Sequence, residues 1–461
     1  MTHSDPPSDH PLTAAEVRGR LEPDFPRVLD TLSSLVAIPS VAWPSHDRAH
    51  VEASAEAVAA LASAVGLSAE ILTAPTAAGT EGHPAVVASR PAPTGRPTVV
   101  LYAHHDVQPA GDESLWDTPP FTATRKGDRV FGRGAADDKA GIMVHLTALE
   151  LLGERLGVGV VLFVEGEEEA GSPSFRNFLE QHREKLAGDV IVVADSGNWA
   201  PGVPALTSSL RGMASLEFTV RTLDHSVHSG MYGGVVPDAM MAMTRVLASL
   251  HDDTGTVAVE GLQRTLTADV EYAEADVRRD SGVLPSTSLV GEGSLSSRLW
   301  LQPAITVIGV DVPTVDDASN TLQAAVRAKI SIRLAPGDAP EAALQQVRQH
   351  IAGNVPFGAL VEFGATEGGH PWRADLTDPA IGLARQALSD GYGTESVLMG
   401  LGGSIPFIAD LLAVFPEASI LVTGVEDPDA RAHSANESLY VPDFASAIVA
   451  ETLLLDRLWR E

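Results

Sequence analysis

The chain has 461 residues, 44% of them hydrophobic. That excludes wholesale disorder and exceeds what one compact core usually holds, so two or three domains are expected. Asp and Glu number 61 against 31 Lys and Arg, and the net charge of −30 argues against nucleic acid and anionic membrane as partners. There is no cysteine, which rules out disulfides, thiolate zinc sites, iron–sulfur clusters and a Cys nucleophile. Any metal must be held by carboxylates and by some of the 15 histidines. The first residues lack a basic segment followed by an apolar one, and no apolar run approaches the ~18 residues of a membrane span. A cytoplasmic protein is the expectation.

In chain order, residues 1–11 read as a disordered tail. Helical spacing runs from Leu12 to about Ala37, made irregular early by Pro23 and Pro26, and an Ala-rich helix spans 51–67. Short strands are predicted at 69–72, 85–89 and 98–103, a helix at 139–152, a strand at 159–164, a helix at 174–186 and a strand at 190–194. This alternation predicts a doubly wound, mainly parallel sheet. Near Leu210 the pattern changes. Strand 214–220, helix 235–250, strands 304–308 and 325–334, helix 339–351 and strand 359–363 form a β-α-β-β-α-β series, interrupted by an irregular stretch at 252–302. That is the order of a ferredoxin-like split unit. Helices at 379–388 and 405–412, a strand at 418–422 and a helix at 442–459 then resume the first pattern. The expected organisation is an α/β domain over 1–208 and 369–461, interrupted by an α+β domain over 209–368.

Chemistry gathers beyond strand ends. His104-His-Asp106 follows the 98–103 strand, Glu165-Gly-Glu-Glu-Glu169 follows 159–164, and Asp195 follows 190–194. His433-Ser434 comes after a loop beyond 418–422. Open α/β sheets bind ligands at the carboxyl ends of their strands. Each motif alone has a bland explanation as a turn, cap or solvated acidic loop, as does Asp137-Asp138-Lys139 at a helix start. Their ordered delivery to one rim does not, and it suits a borderline cation such as zinc.

Five segments resemble the family of carnosine dipeptidases, aminoacylases, acetylornithine deacetylases and glutamate carboxypeptidases. They are Tyr102-Ala-His-His-Asp-Val-Gln-Pro109, Trp116 to Phe121, Gly132-Arg-Gly-Ala-Ala-Asp-Asp-Lys139, Glu168-Glu-Ala-Gly-Ser172 and His433-Ser-Ala-Asn-Glu437. Ala140 stands where the family usually has Gly. The resemblance implies two zinc ions per subunit, with manganese or cobalt as substitutes. His104, Asp137 and Asp195 would hold one ion and Asp137, Glu169 and His433 the other, with Asp137 bridging. It implies Glu168 as general base for an attacking water, and Asp106 as acceptor of a hydrogen bond from the His104 imidazole.

In the inserted domain, Val227-His-Ser-Gly-Met-Tyr-Gly-Gly234 resembles a lid motif whose histidine, here His228, stabilises the oxyanion in the partner subunit's site. Arg333 matches the arginine for the substrate carboxylate, and Asn320 and Ser404 match substrate-contact positions. The inserted domain would then be a lid and dimerisation domain. The implied activity is a dipeptidase, favoured by Asp at position 195, acting on a dipeptide as a homodimer. The alternatives are an N-acyl amino acid deacylase and a non-catalytic metal-binding scaffold.

Overall fold

The computed structural model describes residues 10–403 and 406–460. It divides into two compact units: Met1–Ser208, Ala374–Leu398 and Asp410–Glu461 form one, and Ser209–Arg373 with Met399–Ala409 form the other. The second unit thus reaches a few residues beyond the expected 368 and takes in a segment from the later part of the chain. Residues 1–9 of the expected tail lie outside the described residues. At its other end, Leu12 donates its main-chain N–H to Asp456 at 2.8 Å. Among the described residues, no helix is long and apolar enough to cross a membrane.

The first unit is built on a mixed sheet. Across it run Ser68–Leu72, Ala85–Arg90, Gly159–Glu165, Thr98–His104, Val190–Val193, Ser419–Val422 and Ala205–Leu210. Gly159–Glu165, Thr98–His104, Val190–Val193 and Ser419–Val422 pair in parallel. The flanking pairs are antiparallel, so the sheet is parallel at its centre rather than throughout. Gly159–Glu165 and Val190–Val193 are buried at every residue, as expected of central strands covered on both faces. The chain passes from Thr98–His104 to one side, Gly159–Glu165, and then crosses to the other, Val190–Val193. The connection reverses at the His104 strand, and the carboxyl ends there open the crevice in which such sheets bind ligands.

The helix Lys139–Leu152 is buried on almost all sides, so its buried polar residues Lys139 and His145 need partners. Its first residue, Lys139, is sealed from solvent and donates to the main-chain oxygens of Leu35 at 2.8 Å and Ile38 at 2.7 Å. The lysine thereby adds a charged donor to the last turn of helix Phe25–Val36 and to Ile38 just beyond it. Gly141 permits the helix its close approach, since a Cβ there would stand 2.2 Å from Asp138 Oδ1 and 2.9 Å from Ala194 Cβ. The predicted 174–186 helix breaks at His182 into Phe175–Gln181 and Arg183–Leu186. The strand Ala205–Leu210 has no counterpart in the sequence reading, because its Thr-Ser-Ser centre carries no β-branched run.

In the second unit, Ala304–Asp311, Ala325–Leu334, Gly212–Arg221 and Leu360–Gly369 form an antiparallel sheet in that spatial order. The first and third strands of the β-α-β-β-α-β series are therefore central. Alternate residues of Ala325–Leu334 are buried, from Val326 to Leu334. They join Leu216, Phe218, Val246 of helix Ala239–Ser249 and Val347 of helix Pro340–Asn354 in one core. The 252–302 stretch, expected to be irregular, contains two short helices, Glu274–Ser281 and Leu295–Trp300.

In the first unit, His145 lies between helix Val441–Arg457 and the His104 strand. Its Nδ1 faces Glu451 Oε1 at 2.8 Å and its Nε2 faces the main-chain oxygen of Tyr102 at 3.0 Å. Two oxygens facing the two ring nitrogens favour the imidazolium. Burial opposes that charge, but the Glu451 carboxylate outweighs it and holds His145 above the usual histidine range. A raised folded-state pKa stabilises below the unfolded value of about 6.5 and loses that contribution as pH rises through the folded value. His145→Leu is expected to cost about 3–5 kcal/mol near pH 6, because Glu451 loses its buried counter-charge. Chemical denaturation of both proteins at stepped pH should show this difference shrinking as pH rises. A difference that stays constant with pH would mean that the ring is neutral.

Candidate metal centre

The strand ends converge as the sequence reading expected. His104 closes Thr98–His104, Glu168 and Glu169 sit on a single 3-10 turn beyond Gly159–Glu165, and Asp195 follows Val190–Val193. Asp137 precedes helix Lys139–Leu152, and His433 lies in the loop between Ser419–Val422 and Ser438–Tyr440. Two groups of potential ligands result: His104, Glu168 and Asp195, and Asp137, Glu169 and His433, with the ligand atoms of each group within 4.8 Å of one another.

Asp137 joins the two groups. Its Oδ1 is 3.0 Å from His104 Nε2 and its Oδ2 is 3.0 Å from His433 Nε2. His433 Nε2 is also 3.2 Å from Glu169 Oε2, and His104 Nε2 is 3.9 Å from Asp195 Oδ1. Tetrahedral ligands held about 2.0–2.1 Å from a zinc ion stand roughly 3.3 Å apart; the spacings around His433 lie close to that, and the His104–Asp195 spacing is wider. Both imidazoles present Nε2 inward.

The glutamates after Gly159–Glu165 have separate tasks, and none of them forms a solvated loop. Glu165 accepts the Tyr102 hydroxyl at 2.6 Å, and burial pushes its carboxyl up to about 8. Glu167 accepts the main-chain N–H groups of His83 at 2.8 Å and Ser174 at 2.7 Å, pinning two loops. Glu169 accepts from Gln108, at 3.1 Å from its main-chain N–H and 2.7 Å from its Nε2. Among the described residues nothing hydrogen-bonds the Glu168 carboxylate. Burial and then the Asp195 charge push it up to about 9. Burial likewise pushes Asp195 up to about 7. Asp137 goes the other way: burial is outweighed by hydrogen bonds from His104 and His433, which hold it well below the carboxylate range. Hydrogen bonds to Asp137 and then Glu169 raise His433 to about 11. A site with this excess of carboxylate fits divalent cations, which supply the missing positive charge.

The Asp106 carboxylate faces its expected partner, the His104 imidazole, at the limit of hydrogen-bond range. The His104 Nδ1 is 3.1 Å from the main-chain oxygen of Asp106 and 3.5 Å from its Oδ1. The Asp106 carboxylate is occupied by the main-chain N–H groups of Glu168 at 3.0 Å and Glu169 at 3.1 Å. It is placed to fix the turn that aims both glutamates. His105 is buried with Nε2 at 2.9 Å from the Pro84 oxygen, a packing residue whose ring burial pushes down to about 3.

His228, Asn320 and Arg333 belong to the second unit. His228 lies in the short Val227–His228 strand paired with Thr321–Leu322, and the Ser229 N–H reaches the Asn320 oxygen at 2.8 Å, so the first two are neighbours. Arg333 lies elsewhere, opposite Met213 on Gly212–Arg221. Ser404 lies outside the described residues. Two residues escaped the sequence reading. Arg211, just before strand Gly212–Arg221, lies close enough to Arg333 to feel its charge. It donates Nε to the Gly402 oxygen at 3.1 Å, and burial and then Arg333 pull it down to about 10. No sequence signal marked it. Glu437 was the last residue of a quoted motif but had no role.

Residues 100–457 match the peptidase family M20/M25/M40. The chain is 34% identical to a cysteinylglycine-S-conjugate dipeptidase of Corynebacterium striatum, over 96% of this chain and 98% of that one. It is 28% identical to a Beta-Ala-His dipeptidase of Rattus norvegicus, over 75% of this chain and 73% of the relative. The crystal structure of human carnosine dipeptidase 1 superposes with a TM-score of 0.74 at 23% identity, covering 98% of this chain and 100% of that one, a likeness of fold. The family match and these relatives, with a histidine and carboxylates at the ends of the parallel strands, place the chain among the metallopeptidases. The chain belongs to peptidase family M20/M25/M40.

Asp106→Asn keeps the side chain's size but turns an amide N–H₂ toward one of the two main-chain donors. Loosening the turn under Glu169 is expected to weaken cation binding about 10–100-fold, the usual effect of disturbing groups behind metal ligands. Competition with a chromophoric chelator measures it. Wild-type affinity would show that the turn holds without Asp106.

Proposed function

We propose that the protein is a dipeptidase that hydrolyses the peptide bond of its substrate with two cations held in this cluster. The observation that carries the proposal is the Asp137 carboxylate, which turns one oxygen to His104 and the other to His433. His104, Asp137 and Asp195 hold one cation, and Asp137, Glu169 and His433 the other. Zinc is the proposed ion, and the all-nitrogen-and-oxygen donor set also accepts manganese or cobalt. When bound, the cations polarise the scissile carbonyl and provide a nucleophilic water at neutral pH.

Glu168 takes the proton of the attacking water on its carboxylate and returns it to the leaving amine nitrogen. Its freedom from hydrogen bonds supports this assignment, since Glu165, Glu167 and Glu169 are all tied down. A raised affinity for protons, lowered again by nearby dications, brings such a base toward neutrality. The second unit serves as lid and dimerisation domain. His228 of the partner subunit donates to the developing oxyanion, and the Arg333 fork holds the substrate carboxylate, with Arg211 adding positive charge beside it. Asn320 and Ser404 contact substrate. A cytoplasmic homodimer completes the reading.

An N-acyl amino acid deacylase would use the same chemistry. The dipeptidase is favoured by Asp at position 195 and by the names of the relatives. A panel of dipeptides, including Cys-Gly S-conjugates and β-Ala-His, run beside N-acyl amino acids on metal-loaded protein decides between them. Turnover of acyl amino acids alone would overturn the dipeptidase reading.

Glu168→Gln is expected to keep both cations and lose about 10²–10⁴-fold in kcat, since the shape survives and the base does not. Elemental analysis together with kinetics checks this, and near-wild-type kcat would move the base elsewhere.

The dimer has its own test. Glu168→Gln and His228→Ala homodimers should each be nearly inactive, whereas exchange of their subunits should restore activity, because one site in the mixed dimer has both residues native. Mass measurement verifies exchange. Exchange without rescue would confine His228 to its own subunit or remove it from catalysis.

A further inference from the structure

Glu437 is sealed from solvent, yet nothing in the chemistry above uses it. Its carboxylate is filled by donors from one loop far away in sequence. Oε2 accepts Arg133 Nη1 at 2.7 Å and the Gly134 N–H at 2.9 Å, and Oε1 accepts the N–H groups of Ala136 at 3.0 Å and Asp137 at 3.2 Å. The Glu437 main-chain oxygen also accepts the Gly132 N–H at 3.0 Å. The 132–137 loop is thus wrapped around one side chain, and its last residue is Asp137.

The other half of the clasp returns to His433. Arg133, 2% exposed, donates to the Ser434 oxygen at 3.2 Å and the Pro109 oxygen at 3.4 Å, and lies over the Trp116 ring at 5.3 Å. Strand Ser438–Tyr440, which follows Glu437 directly, pairs with Arg129–Phe131, which leads into the 132–137 loop. Between Arg431 and Asn436 the backbone takes positive φ at Arg431, His433 and Asn436, a path that L-residues rarely follow unless neighbours impose it.

We infer that Glu437 is a positioning residue for the proposed two-cation site: with Arg133 it locks the Asp137 loop to the His433 loop and so sets the cation held by Asp137, Glu169 and His433. The other cation depends less on it, because His104 and Asp195 come from the ends of central strands. The inference rests on the two-cation reading. It concerns which cation is weakened, and a general loss of stability would not produce that asymmetry.

The test titrates chelator-treated protein with Co²⁺, following visible absorbance and heat. Glu437→Gln keeps the volume but presents an N–H₂ group to N–H donors, and Arg133→Lys keeps a charge but loses the planar fork. Wild type should bind two equivalents. Glu437→Gln should weaken the second equivalent at least about 10-fold more than the first, which keeps His104 and Asp195, and Arg133→Lys should shift the second in the same direction. His145→Leu, destabilised at a distance, should bind both normally. Two normal equivalents in folded Glu437→Gln, or in Arg133→Lys if the first variant does not fold, overturn the role of Glu437 alone. Equal weakening of both equivalents reduces it to a general support. Fewer than two equivalents in wild type overturn the two-cation reading itself.

Discussion

Charge crowding governs the first unit. Asp137, Glu168, Glu169 and Asp195 are brought together, the side chains of Asp137, Glu169 and Asp195 no more than 16% exposed, and like charges in a low-dielectric setting oppose one another strongly. Two imidazoles offset part of this. The divergent proton affinities express the remainder: Asp137, between two histidines, is held low, while Glu168 and Asp195 are driven up. A fold that gathers these groups must hold them in place against their repulsion, and divalent cations are the natural complement.

The holding is done by a second set of carboxylates that do not face the cluster's centre. Asp106 takes two main-chain N–H groups under the Glu168–Glu169 turn, Glu167 takes two more from neighbouring loops, and Glu437 takes three and a guanidinium. Hydrogen bonds to a charged acceptor are about twice as strong as neutral ones. They also satisfy donors that irregular loops would otherwise bury unpaired. The strongly acidic composition therefore has a partly internal use: some of the negative charge is structural mortar for the loops that carry the rest.

The second unit solves a different problem. Its antiparallel sheet places one face against two helices, so a period-two alternation suffices to build its core, and Val326 to Leu334 show it cleanly. The opposite side is free to carry polar groups such as Arg333. Arg211 lies close enough to Arg333 for the two positive charges to oppose one another.

The sequence by itself determined the units of chemistry. Apolar runs ending in His104, Glu165 and Asp195 announced buried strands with ligands at their ends, because a parallel strand covered on both faces must be continuously apolar and must stop where polar residues begin. The helix Lys139–Leu152 and the strand Ala325–Leu334 were legible to the residue for the same reason: periodicity is a local property. Tertiary structure decided what depends on residues far apart in the chain. The Ala205–Leu210 strand is fixed by its place in the sheet rather than by its Thr-Ser-Ser composition. Asp106 serves main-chain donors 62 and 63 residues away, and Glu437 serves a loop about 300 residues away. A carboxylate's partners are chosen by the fold that surrounds it, so its charge can be read from sequence but its task cannot.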